Sequence, residues 1–213
     1  DSERRPESAK KIGLALPYNP DWGLAPHLRF ASQKMGFERH PFTSQFVIDA
    51  QYFSLTQAAI FKTEYHSANL FPEWNLKIAA LATTNNYTEN FFGFGNETTN
   101  TASNFDTNRV FLQKFEAEAG VYYIGEYGSS FETSIAYQNF NVEETLSSKP
   151  LNNLNNNNNI TLNAIYSYKS VDNSNFPTRG MHFKASGFYS DHLDSEETVF
   201  AADPKITFWN AID

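Results

Sequence analysis

Apolar and polar residues alternate with period two through most of the chain, and apolar positions seldom recur three and four residues apart, so the pattern predicts strands rather than helices. Ten strands are predicted, over residues 11–19, 22–35, 44–55, 57–66, 75–84, 109–124, 129–142, 159–171, 179–191 and 198–209. The first two are joined by the turn Asn19-Pro20-Asp21. Each strand has an apolar and a polar face. Ile160, Leu162, Ala164, Tyr166 and Tyr168 stand against Thr161, Asn163, Ser167 and Lys169, while Phe115, Ala117, Ala119 and Val121 stand against Lys114, Glu116 and Glu118. The polar face carries both signs of charge, with Arg29, Asp49, Lys62, Glu64, Glu116, Glu118 and Lys184, together with Lys77 and Glu132, as its members.

Strand length decides between two architectures that share this alternation. Strands of soluble sandwiches average about five or six residues. A tilted strand that crosses a bilayer needs about ten, and several segments here reach that length, so the expectation is an all-β, antiparallel transmembrane barrel with a polar interior. The connections support it. The longest loops, residues 85–108 and 143–158, fall on one side together with 191–197 and the tight connections between strands one and two and between three and four, while 36–43, 67–74, 125–128 and 172–178, all shorter than about ten residues, fall on the other. The asparagine run from Asn152 to Asn159, broken by Leu154, falls in one of the long loops and reads as a mobile outer segment.

Composition then removes alternatives. A length of 213 residues fits one domain, and a net charge of -8 leaves no basic surplus for a phosphate backbone, so no nucleic-acid partner is expected. There is no Cys, which excludes disulfides, thiolate nucleophiles and Cys-ligated metals, and the five His are scattered. Mean hydropathy is -0.51 and no run of eighteen apolar residues occurs, so a helical span is excluded. A strand barrel hides its apolar band in the alternation and keeps the average low. Asp1 heads the sequence with no initiator Met and no charged-then-apolar leader, the expectation for a mature, trimmed or fragmentary chain.

Chemistry is sparse. No Gly-x-Ser-x-Gly, His-Glu-x-x-His or Walker pattern occurs, so neither an enzyme nor a cofactor is expected. Asp191, His192 and Asp194 make the one cluster in which a carboxylate could orient a histidine, and it reads as a solvated loop. Phe91, Phe92 and Phe94 sit in a loop punctuated by Gly93 and Gly95, placed to meet lipid headgroups or a partner or to plug a barrel mouth. The sequons at Asn86, Asn96 and Asn159 read as chance matches in an Asn- and Thr-rich chain. In Phe176-Pro177-Thr178-Arg179-Gly180, Pro177 suits the start of a strand and Gly180 permits tight backbone passage there.

That Phe176–Gly180 segment, leading into an alternating strand, resembles a motif of the Omp85 superfamily of outer-membrane barrels, which includes the BamA-type assembly proteins and surface antigen D15. The stretch MHFKASGFYSDHLDSEETVFAADPKITFWNAI is similar to the strand, loop and strand that follow it in the family. LPYNPDWGLAPHLRFASQKMGF resembles the opening hairpin, and ENFFGFGNET resembles a loop of Bacteroidota-type members. The resemblance implies a sixteen-stranded barrel of which this chain carries about ten meander strands, with residues 1–10 as a periplasmic lead-in and 11–213 as a partial barrel domain. No counterpart of the family's later Arg-Gly-Phe motif is present, nor of the POTRA repeats that precede its barrels.

The resemblance further implies a place in the bacterial outer membrane and an activity of inserting or translocating outer-membrane proteins. The first strand, with Ile12, Leu14 and Leu16, would be the seam edge that templates an incoming strand. Implied partners are the lipid bilayer, nascent outer-membrane proteins and periplasmic or lipoprotein accessory subunits. For the charges, two roles stay open: a path for ions or polypeptide, or a salt-bridged lining that stiffens the barrel. Two other functions stay open as well, a barrel anchor or export pore for an attached phospholipase or phosphoesterase domain, and a soluble secreted β-sandwich for binding.

Overall fold

The computed structural model describes residues 8–36, 39–71, 73–90, 109–125, 128–144, 157–173 and 177–210. Its strands are β1 (Ser8–Ala15), β2 (Tyr18–Asn19), β3 (Gly23–Leu24), β4 (His27–Gly36), β5 (Arg39–Phe53), β6 (Ala58–Phe71), β7 (Trp74–Thr83), β8 (Thr88–Asn90), β9 (Arg109–Ile124), β10 (Ser129–Glu144), β11 (Asn157–Val171), β12 (Gly180–His192) and β13 (Thr198–Trp209). Ten of them form one antiparallel sheet in the order β1-β4-β5-β6-β7-β9-β10-β11-β12-β13, with β8 added to β9 and β2 pairing β3. Each of the ten predicted strands has its counterpart on this path. The protein is all-β, with no α-helix among the described residues. No ladder joins β1 to β13, so the described sheet is open and is not closed into a barrel.

Several boundaries differ from expectation. The opening hairpin is not two unbroken strands, because Pro17 and Pro26 have no N–H to give and interrupt it. The register carries on across the break, since Ile12↔Phe30 and Tyr18↔Leu24 belong to the same series. Leu16 therefore lies just beyond β1, and β1 begins at Ser8, inside the expected lead-in. At the other end of the sheet, β5 starts at Arg39 and β6 runs to Phe71, shrinking the expected loops to 37–38 and 72–73. Register shifts between Lys34 and Gly36 and between Ser67 and Phe71 put the alternation out of phase there and conceal these strand ends in the sequence.

The faces are amphipathic in an inverted sense. Among the strand residues of the ten-stranded path whose burial is described, the buried ones, Val47, Phe53, Ala58, Val110, Ser134, Ala136, Val142 and Thr161, lie on the face that holds Asp49, Lys62 and Glu116. On the opposite face Ile48, Phe61, Ile78, Ile135, Leu162, Tyr189 and Phe200 stand exposed in spite of their size. No second layer covers that apolar face among the described residues.

Across the ladders this apolar band drifts steadily. Following paired residues from Ile12 through Phe30, Ile48, Thr63, Ala80, Ala117, Tyr137, Ile160 and Asp191 leads to Thr198. On β1 and its continuation the apolar positions Ile12, Leu14, Leu16 and Tyr18 centre about three residues above this row; on β13 Phe200, Ala202, Pro204, Ile206 and Phe208 centre about six below it. The drift is thus about one residue per strand step, or ~3.3 Å of rise for each ~4.8 Å of strand spacing, a slope of about 35°.

At the end holding the 16–26, 54–57 and 84–87 connections, here called the upper end, the amphipathicity reverses. On β10 Asn139, Asn141 and Glu143 continue the apolar face, whereas Phe140 and Val142 turn to the polar one. Phe53 and Ala58 do likewise on β5 and β6, and Trp22, Ala25 and Tyr87 pack on them. Ring centroids of Trp22 and Tyr87 lie 5.3 and 5.7 Å from that of Phe53. Arg109 Nη2 donates to Asp21 O at 2.9 Å, and Asn86 Nδ2 donates to Thr56 O and Gln57 O, so these connections form a small cap folded over the polar side. Burial of the Tyr87 ring, with Glu89 close to its hydroxyl, pushes the phenol above its ordinary pKa.

Candidate functional site

The polar face gathers its charges into contacts. Asp49 on β5 receives His27 Nε2 at 2.9 Å and Arg29 Nη1 at 3.4 Å, both from β4. Lys77 on β7 reaches Glu118 at 3.5 Å on β9 and Glu132 at 2.9 Å on β10. Lys114 meets Glu116 at 2.9 Å, and Gln138 Nε2 donates to the same carboxylate at 3.1 Å. His66 Nε2 lies 2.5 Å from Glu64 Oε1. Period-two alternation puts the partners on one face. Glu64 and His66, like Lys114 and Glu116, sit two apart on one strand, while Arg29 is in register with Asp49 and Glu116 with Gln138. His27 and Asp49 are diagonal, as are Lys77 and Glu118, and Lys77 reaches Glu132 across β9, where it pairs with Gly120. Of the expected residues, Arg29, Asp49, Glu64, Glu116 and Glu118 are brought together in this way. Lys62 faces Asp49 across the β5–β6 ladder, and Lys184 stands apart on β12, facing Lys205. Lys114 lies on the face expected of it, and His27 and Gln138, which were not among the expected residues, share the face and spacing of Arg29 and Glu116.

Val47, Asp49, Lys62, Glu64 and Glu116 also line a recess of about 200 Å3 on this face. Its carboxylates are engaged, Asp49 and Glu116 by the cations Arg29 and Lys114 and Glu64 by the His66 ring, so the wall is polar and its charges are largely paired. Groups held in this way stiffen a lining and are poor nucleophiles or bases. The described residues contain no cluster of His, Cys, Asp and Glu able to hold a metal.

The Pro177–Gly180 part of the motif closes the β11–β12 turn, while Phe176 lies outside the described residues. Asp172 Oδ1 accepts the backbone N–H groups of Asn173, Thr178 and Arg179 at 2.9 to 3.0 Å, and Oδ2 accepts the Thr178 hydroxyl. The Thr178 hydroxyl, followed by the Arg179 and Thr178 amides, holds this carboxyl far below the usual carboxylate range. Gly180 has φ 128°, and a Cβ there would fall 2.1 Å from Ser170 O and 2.7 Å from Val171 Cα. Asp172 was missed; its sequence signal is an Asp at a strand end with a Thr six residues later, a side chain able to tie down a turn.

β1 is an edge. Within the continuous register, Ala25 N donates to Pro17 O at 2.8 Å, which sets the hydrogen-bonding parity. Lys11, Gly13 and Ala15 therefore bond to β4, and Ser8, Lys10, Ile12 and Leu14 direct their N–H and C=O groups away from the sheet. The side chains of Ile12 and Leu14 are 72% and 81% exposed on the apolar face. β13 is the other edge. His192 N donates to Glu197 O, and the same parity turns the Pro204 nitrogen outward.

At Asp191, His192 and Asp194 no carboxylate is aimed at the imidazole. Asp194 N donates to His192 Nδ1 at 3.2 Å, leaving Nε2 as the protonated nitrogen that donates to Asn157 Oδ1 at 2.9 Å. The Asp194 carboxylate is taken by Asn158 Nδ2 at 2.5 Å. The cluster braces the β12–β13 turn. Residues 91–108 and 145–156, with Phe91, Phe92, Phe94, Gly93, Gly95 and most of the asparagine run, lie outside the described residues.

No protein-family model, no curated protein and no solved structure matches the chain.

Proposed function

We propose that this chain is part of an Omp85-type outer-membrane β-barrel that inserts or translocates outer-membrane proteins, with β1 as the templating edge. The observation that carries the membrane reading is the drift of the exposed apolar band. A band that climbs about 35° across the hydrogen-bonded rows becomes level when the strands tilt by the same angle, and membrane barrels tilt by about 35–45°. Its height fits as well. From Phe115 to Tyr123 on β9 the outward positions span about 27 Å of strand, or ~22 Å along the membrane normal after tilt, against about 25 Å for such barrels.

Aromatic residues collect near its lower margin, where Trp74, Tyr123 and Phe131 are paired neighbours on β7, β9 and β10, and Tyr168 on β11 lies further down its strand, as the drift of the band requires. Trp74 lies 5.8 Å from Tyr123 and 6.2 Å from Phe131 between centroids, the kind of belt that sits at headgroup level. The outward amides of Ser8, Lys10, Ile12 and Leu14 are what supports the templating step: an extended client segment adds to β1 by backbone hydrogen bonds, with no covalent chemistry. A photo-crosslinker at Leu14 of the full-length protein is expected to capture nascent outer-membrane proteins. A protein that supports assembly yet gives no such crosslink from β1 overturns the templating role.

A further inference from the structure

On the apolar face near the upper end, Leu14, Leu28, Tyr52 and Phe61 stand around a recess of about 290 Å3 floored by Ala50 and Ala59. Two features of the chain make this dent. The floor residues are small, and beyond Pro26 the opening hairpin leans over the polar side, where Trp22 and Ala25 pack on Phe53. The bulk that a straight hairpin would place over Ala50 and Ala59 is thereby withdrawn.

We propose that this recess seats one acyl chain of a bilayer lipid, an inference that rests on the membrane reading above. The recess is continuous with the exposed apolar band through Phe61 and Leu28, so its mouth opens where that reading puts hydrocarbon. Water in it would find mainly apolar walls, and an empty dent forfeits the dispersion contacts that the rest of the band makes with lipid. A flexible chain that enters from the side restores them. The upper limit is set by the reversal of faces between Tyr52 and Phe53, which puts the headgroup level with the Tyr52 ring and the methylenes below it, against Ala50 and Phe61.

The test uses the full-length protein in phosphatidylcholine nanodiscs that contain a small fraction of phosphatidylcholine with a diazirine on its acyl chain. Mapped after photolysis, the label is expected to be several-fold denser on 50–61 and 14–28 than on the same face around Ala117. Ala59→Trp, which fills the floor, should remove that excess and leave labelling near Ala117 unchanged. Ala50→Phe serves as the second filling variant if Ala59→Trp does not assemble. Labelling that is uniform over the band, or an excess untouched by both substitutions, overturns the acyl seat while leaving the membrane reading in place. A chain that never enters the discs and takes no label on the band removes the membrane reading itself. An excess at 14–28 that is abolished by a peptide pairing with β1, but not by filling the floor, assigns the recess to an added strand and also overturns the proposal.

Discussion

Ala79 and Ala80 are adjacent on β7 and point to opposite faces, so one substitution moved by a single position separates a lipid-facing surface from a solvated one. Ala80 pairs with Thr63 and Ala117 inside the apolar band, whereas Ala79 lines the polar recess beside Glu64 and Glu116. An arginine near the midplane of a lipid-facing strand costs about 2–4 kcal/mol. At about 1.4 kcal/mol per factor of ten, Ala80→Arg is therefore expected to lower the folding equilibrium by roughly 30- to 700-fold. Ala79→Arg adds a cation next to two carboxylates in a polar wall and should stay within about 1 kcal/mol of the parent. The assay is urea titration of the full-length protein into short-chain phosphatidylcholine vesicles, read by gel migration with and without boiling and by tryptophan fluorescence. If the apolar face met water instead, Ala80→Arg would be an ordinary surface change within about 0.5 kcal/mol. A cost that small, or a greater cost at Ala79 than at Ala80, would refute the assignment of the faces.

Gly180→Ala should destabilise the β11–β12 turn by about 2–4 kcal/mol, since a positive φ of this kind costs about 1–3 and a Cβ 2.1 Å from Ser170 O has only backbone to displace. The same titration measures it, and a neutral result would mean that the turn relaxes freely. Gln57 has φ 53° in the β5–β6 turn, so Gln57→Gly should raise stability by about 1 kcal/mol, read as a higher urea midpoint with an unchanged slope. Asp172 has its carboxyl pKa lowered from 3.8 in the folded state, so its contribution is present in full above that unfolded value and is lost as pH falls below it towards the folded one. The stability gap between the parent and Asp172→Asn should accordingly be constant from pH 7 to pH 5 and narrow below about pH 4; a gap that widens on acidification would contradict the sign.

Strands were legible because one rule, alternation, governs both pairing and the faces. The ten strand cores emerge from it, and so do the polar-face contacts, since Lys77, Glu118 and Glu132 share a face once their strands are in register. What stayed hidden obeys other rules. Register shifts beside Gly36 and Ser67 reset the phase, so a two-residue period read along the sequence stops short of the strand ends. Pro17 and Pro26 mark the break in the hairpin, but that it leans onto Phe53 depends on β5, which pairing alone brings beside it. Asp172 serves backbone donors up to seven residues away, a relation without periodicity.

The two edges of the sheet are unequal, and the inequality bears on where a strand is added. β1 offers unbroken outward donors and acceptors at Ser8, Lys10, Ile12 and Leu14. β13 offers Thr198, Phe200, Ala202, Ile206 and Phe208, with Pro204 between them unable to donate. Any neighbour laid along β13 has a carbonyl facing Pro204, and an unmet polar group costs about 1–3 kcal/mol in a protein interior and several in hydrocarbon. Pro204 sits at the centre of the apolar stretch on β13, where water cannot supply the missing bond if that stretch is in lipid. A permanent neighbour can absorb this by a bulge fixed in its own sequence. A transient one, which has to pair with many different client sequences, cannot rely on such a feature. On the function proposed above, exchange of incoming strands would therefore belong at β1, with β13 the edge suited to one dedicated partner strand.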